Sequence, residues 1–137
     1  MRLAIPLIML GAFALVANAI PAKVMLADKE AKALAKATEG KVAGKPVSCV
    51  PILRGQNLRA IGDHTLIYEA SKKRVYRNDL QGACHGLSWG DTLVMDLHGS
   101  QYCSGDIARV VNLPSGSQSG SCTLGDFVPY DAPASAK

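Results

Sequence analysis

The stretch "TLIYEASKKRVYRN", residues 65–78, decides how the chain is read. Two runs of strand length, 65–70 and 74–78, are rich in β-branched and aromatic residues. The polar residues 71–73 join them, so the segment predicts a β-hairpin. In the first arm Leu66 and Tyr68 point to one face, and Thr65, Ile67 and Glu69 to the other; in the second arm Val75 opposes Arg74 and Tyr76. One face is therefore expected to be wetter than its opposite. The same string sets Lys72, Lys73, Arg74 and Arg77 around Tyr76, a combination nucleic-acid binders use. A charged turn between strands produces it equally, and no nucleic-acid partner is expected.

Further strand-length runs lie on either side: 47–53, 91–97, 106–111 and 126–130. Turn compositions separate them, "GDH" (62–64), "HGSQ" (98–101) and "PSGSQSGS" (114–121). Short strands at close spacing predict a mainly β protein, a small antiparallel sheet or partly open barrel. Upstream, "KVMLADKEAKALAKATEGKVAGK" (23–45) is rich in alanine, lysine and glutamate. It predicts a short N-terminal helix of about eleven residues with Asp28 as N-cap and Gly40 as stop, too short to persist unless it packs on the β region. Residues 115–121 read as a flexible surface loop and 131–137 as a disordered tail.

The chain opens on one basic residue, Arg2, then an apolar run over 3–16 and the small residues Ala17 and Ala19. This is the pattern of a secretory signal peptide over 1–19, with cleavage after Ala19 and no transmembrane segment once it is removed. The organisation expected is then a helical leader over 20–45, a β domain over 46–130 and the tail, in a periplasmic or secreted protein. Fifteen basic against eleven acidic residues give a formal charge of +4, which loss of Arg2 lowers by one. The excess is mild.

Export gives the four cysteines, Cys49, Cys84, Cys103 and Cys122, a defined meaning. In an oxidising compartment an even count in a small chain reads as two disulfides, with three connectivities open. About 85 residues with few aromatics bury a limited core, and covalent closure of loops offsets that. Zinc ligation would need close-set pairs such as C-x-x-C, and the sequence has none.

The histidines His64, His85 and His98 are the remaining candidates for chemistry. With Asp91 or Asp96 they offer metal-ligand types, but no H-x-H or H-x-x-x-H pair presets two ligands on one element. A hydrolase would use His64 or His98 as base, Ser88, Ser100 or Ser104 as nucleophile, and Asp63, Asp96 or Asp106 to orient the base; residue types alone do not make a triad. "CSGD" (103–106) lacks the G-x-S-x-G spacing of a nucleophile elbow, and Asp106 reads as the cap of its own turn. No catalytic residue, metal or cofactor is assigned.

The succession "AGKPVSCVPI", "IGDHTLIYEA", "VYRNDLQGACHGL", "YCSGDIARVV" and "SCTLGDFVPY" resembles a family of small exported proteobacterial proteins built on a domain of unknown function, over residues 32–130. The resemblance implies a cysteine-stapled β domain and leaves its chemistry open. It also implies that Cys84 and Cys103 form a self-contained pair, leaving Cys49 to Cys122. The strand and turns between Cys84 and Cys103 are compatible with that nested scheme, which would leave no thiol free. The function expected is that of a non-catalytic binding or envelope-associated structural protein whose partner would be an envelope protein. The alternative is a small periplasmic hydrolase or metal-handling protein using His64, His85 or His98.

Overall fold

The computed structural model describes residues 23–97 and 99–134. The expected signal peptide, His98 and residues 135–137 lie outside the described residues. One helix, α1 (Lys23–Ala37), precedes ten strands: β1 (Val42–Ala43), β2 (Cys49–Pro51), β3 (Leu58–Ile61), β4 (Thr65–Glu69), β5 (Arg74–Asp79), β6 (Thr92–Met95), β7 (Gln101–Cys103), β8 (Ile107–Asn112), β9 (Ser117–Thr123) and β10 (Phe127–Asp131). They form three antiparallel sheets, ordered β1-β10-β5-β4-β3, β2-β7 and β6-β8-β9. Single bridges between Val47 and Phe127 and between Gln81 and Thr123 tie the sheets together without closing a barrel. The protein is thus mainly β and antiparallel, with one short helix on its N-terminal side, as the sequence predicts.

The hairpin expected at 65–78 is β4 and β5, with Tyr68 opposite Tyr76 and Ile67 opposite Arg77. Its turn is held by Ser71, whose hydroxyl accepts from the N–H groups of Lys73 and Arg74 at 3.2 and 3.0 Å. The face of Leu66, Tyr68 and Asn78 is the drier one; on the wetter one Thr65 and Arg77 are half-buried and Glu69 and Asp79 exposed, but Ile67 is buried. Leu66 and Tyr68 join the main core with Val50, Tyr102, Val110, Leu124 and Phe127. On the opposite face Ile61, Ile67 and Val75 are covered by Ala33, Leu34 and Ala37 of α1. A short amphipathic helix becomes stable by laying its apolar stripe on a sheet, and α1 does so on the outer face of the largest one.

That helix starts earlier than expected. Asp28 lies inside it rather than at its cap, because the good helix formers Met25, Leu26 and Ala27 extend it upstream. At the other end Thr38 donates its N–H and its hydroxyl to the Leu34 carbonyl, both at 3.0 Å, and Gly40 reverses the chain at φ +69°. The segment read as a leader also contains a strand, β1, which pairs with β10.

The nested disulfide scheme does not hold. The pairs are Cys49–Cys103, with Cα atoms 4.1 Å apart, and Cys84–Cys122, at 5.1 Å, so the two loops interleave. Cys49 and Cys103 sit directly opposite each other on β2 and β7. The segment between Cys84 and Cys103 does not turn straight back, because β6 leaves to pair with β8. Cys84 instead lies on a loop that crosses β9. Gly120 of β9 permits this approach: a Cβ there would meet the His85 carbonyl oxygen at 2.5 Å. Cys122, the partner expected for Cys49, lies on β9 in the sheet β6-β8-β9, whereas Cys49 is on β2, which pairs with β7.

Two segments read as irregular are ordered. Residues 117–123 form β9, paired along β8 with a bulge between Val110 and Val111, and Asp131 ends β10 opposite Arg74 rather than opening a tail. Tyr68 fastens the layers: its hydroxyl donates to the Pro51 carbonyl and accepts from the Leu53 N–H, both at 2.9 Å.

Candidate functional site

From Cys84 to Asp91 the chain makes a tight turn packed against β9 and β3. Its centre is a single 3-10 turn, Leu87–Trp89, between Gly86 at φ +102° and Gly90 at φ +94°. Both values lie in the left-handed region that glycine adopts without steric cost. The Trp89 N–H donates to the Gly86 carbonyl at 3.0 Å, and the Gly90 N–H to Leu87 at 3.1 Å.

Three further ties hold the turn to the body. The Cys84–Cys122 disulfide fixes its start. Asp63 accepts from the Ser88 N–H through its carboxylate and from the Cys84 N–H through its carbonyl, both at 2.8 Å. Asp91 accepts from the Asn112 side chain at 2.8 Å, joining the turn's end to the β8–β9 hairpin. Leu87 is buried in the main core, while Trp89 is 85 % exposed. A rigid support therefore presents the chain's one tryptophan to solvent.

Of the sequence candidates, Asp63, His85, Ser88 and Asp91 lie on or against this turn, while Asp96 and Asp106 line a separate depression with Met95, Leu97 and Ile107. His64 and His85 are both exposed, and His98 lies outside the described residues. His85 Nδ1 stands 3.8 Å from Asp63, beyond hydrogen-bond length, and the nearer bond of Asp63 goes to the backbone of Ser88. Asp96 is held by Arg109 at 2.6 Å. Asp106 accepts from the Cys103 N–H at 2.8 Å, capping its own turn as the sequence predicts. Asp91 is committed to Asn112. Among the described residues no three of His, Cys, Asp or Glu gather as a metal-holding group.

Where the fold shifts an ionisation, it does so at structural contacts. The hydrogen bonds from Arg74 hold the Asp131 carboxyl below the ordinary carboxylate value, and the same bonds raise Arg74. Arg77 is raised by its hydrogen bond to Asp79, against some desolvation. Tyr102 is raised by burial in the core, with Tyr68 adding to it.

Sequence reasoning missed Trp89, which it counted only as an aromatic residue. The available signal was "GLSWG" (86–90), a large aromatic closed in by glycines and starting two residues after a disulfide cysteine.

The architecture defines a small antiparallel β protein stapled by two interleaved disulfides, with one helix on the outer face of its largest sheet. The chain belongs to a family of unknown function (DUF6491), whose model matches residues 1–136. No curated protein and no solved structure matches it. Among the described residues no helix is long and apolar enough to cross a membrane.

Proposed function

We propose that the protein is an exported, non-catalytic binding protein of the cell envelope, and that it engages an envelope protein through Trp89. The observation that carries this reading is an 85 % exposed indole on a turn tied down by the Cys84–Cys122 disulfide and by bonds to Asp63 and Asn112. Tryptophan is enriched among the few residues that dominate binding energy, and a preorganised anchor loses little entropy on docking. Export is supported by the signal pattern over 1–19 and by two disulfides, which persist in oxidising compartments. The non-catalytic part is supported by the prior commitments of Asp63, Asp91, Asp96 and Asp106.

A photo-crosslinking amino acid placed at position 89 in exporting cells tests the reading. A discrete protein adduct from position 89, absent when the probe sits at the exposed Val42 of β1, is the expected result. Absence of an adduct from position 89, or hydrolysis of an ester or phosphoester probe that disappears in His85→Ala, would contradict it.

A further inference from the structure

The outer face of the five-stranded sheet carries a second surface, remote in character from the tryptophan turn. Between α1, the segment after it, and β3 to β5 runs an open groove of about 440 Å³. Its floor is Ala33, Ala37 and Val75; its walls carry Lys36, Lys41, Arg59 and Lys72 against one carboxylate, Glu69. Glu69 is already bonded to Arg59 at 3.2 Å. Lys41 makes one long contact, 3.5 Å, to the backbone carbonyl of Glu39. Three lysines thus converge from three separate elements on one depression, and none of them is in an ion pair among the described residues. Most of the chain's modest positive excess is concentrated there.

We infer that this groove is a docking surface for an anionic bilayer, with Lys36, Lys41 and Lys72 contacting lipid phosphates. Charge complementarity selects the occupant. A single-stranded nucleic acid would want aromatic platforms between its cations, and no aromatic residue lines the groove. Lysines on long apolar stems above a small-residue floor suit a headgroup layer, where the stems lie along the interface and the ammonium groups reach phosphate. Attraction of this kind is additive and salt-sensitive, and each lysine contributes about fivefold in affinity. It would hold the protein at a membrane surface without a spanning helix. The inference uses a different surface from the proposed function and stands or falls without Trp89.

The mature protein should cosediment with vesicles of phosphatidylcholine and phosphatidylglycerol at low salt, and not with phosphatidylcholine alone. Lys36→Glu with Lys72→Glu should weaken that binding by at least about twentyfold, and Lys45→Glu with Arg54→Glu, an equal charge reversal at two exposed positions outside the groove, by no more than about threefold. Equal losses in the two variants would reduce the effect to net charge and overturn the inference. No vesicle binding would overturn it too, as would binding of inorganic phosphate or single-stranded DNA without vesicle binding. Circular dichroism matching wild type confirms that each double variant is folded.

Discussion

Asn78 and Gly125 exchange two hydrogen bonds: the Asn78 carboxamide donates to the Gly125 carbonyl at 2.6 Å, and the Gly125 N–H returns one to Asn78 Oδ1 at 3.0 Å. Asn78 is fully buried on β5, so its side chain acts as one more strand residue and pairs the segment before β10 to the core. Gly125 must be glycine for that approach, since a Cβ would collide with the Asp79 carbonyl oxygen.

Asn78→Ala should therefore destabilise the protein by about 3 kcal/mol or more, because two buried backbone groups lose their partners. Gly125→Ala should cost about 2 kcal/mol by forcing strand and turn apart. Urea unfolding of each variant checks this, and a midpoint within error of wild type for either would refute the pairing.

Tyr68→Phe removes a hydroxyl that both donates and accepts inside the protein. The ring packing against Tyr76 and Tyr102 would survive. The expected loss is about 1–3 kcal/mol, from stranding the Leu53 N–H and the Pro51 carbonyl. Thermal unfolding measures it.

Peptide mapping without reduction should give fragments linking Cys49 to Cys103 and Cys84 to Cys122. On the chain-entropy model each closure contributes about 4 kcal/mol, so replacing either pair by alanines should lower the unfolding midpoint markedly. A fragment joining Cys84 to Cys103 would contradict the interleaved arrangement.

The contact of Asp131 with Arg74, at 2.5 and 2.8 Å, predicts a pH dependence. The folded carboxyl titrates below its unfolded value. Its stabilisation is thus present above the unfolded value, near pH ~4, and is lost as pH falls through the folded one. The melting temperature of Asp131→Asn should lie slightly below wild type at neutral pH, and the gap should close on acidification. Both side chains are about half exposed, so the gap is small. A gap that widens on acidification would have the wrong sign.

Local chemistry made much of the fold legible. The hairpin over 65–78, the helix and the capping role of Asp106 arise from periodicity, turn residues and short-range hydrogen bonding. The disulfide pairing does not, since it depends on β2 meeting β7 and on a loop crossing β9, relations between segments distant in sequence. β9 was hidden for a related reason. "SQSGSCT" has the composition of a loop, and it is a strand because β8 offers it a partner. Ile67 shares its face with Thr65 and Glu69, and nothing local to the hairpin shows that α1 covers it. The turn bearing Trp89 was legible in its glycines, but its rigidity comes from Asp63 and Asn112, far along the chain.

Trp89 is the chain's one tryptophan, so its fluorescence reports directly on the proposed binding surface. In the isolated mature protein the emission should resemble that of indole in water and be quenched freely by acrylamide. Titration with the envelope protein captured at position 89 should shift the emission to the blue and protect it from quencher, and Trp89→Ala should weaken the complex by about 2 kcal/mol or more. Emission already blue-shifted and protected in the free protein, or unchanged when the complex forms, would contradict the account.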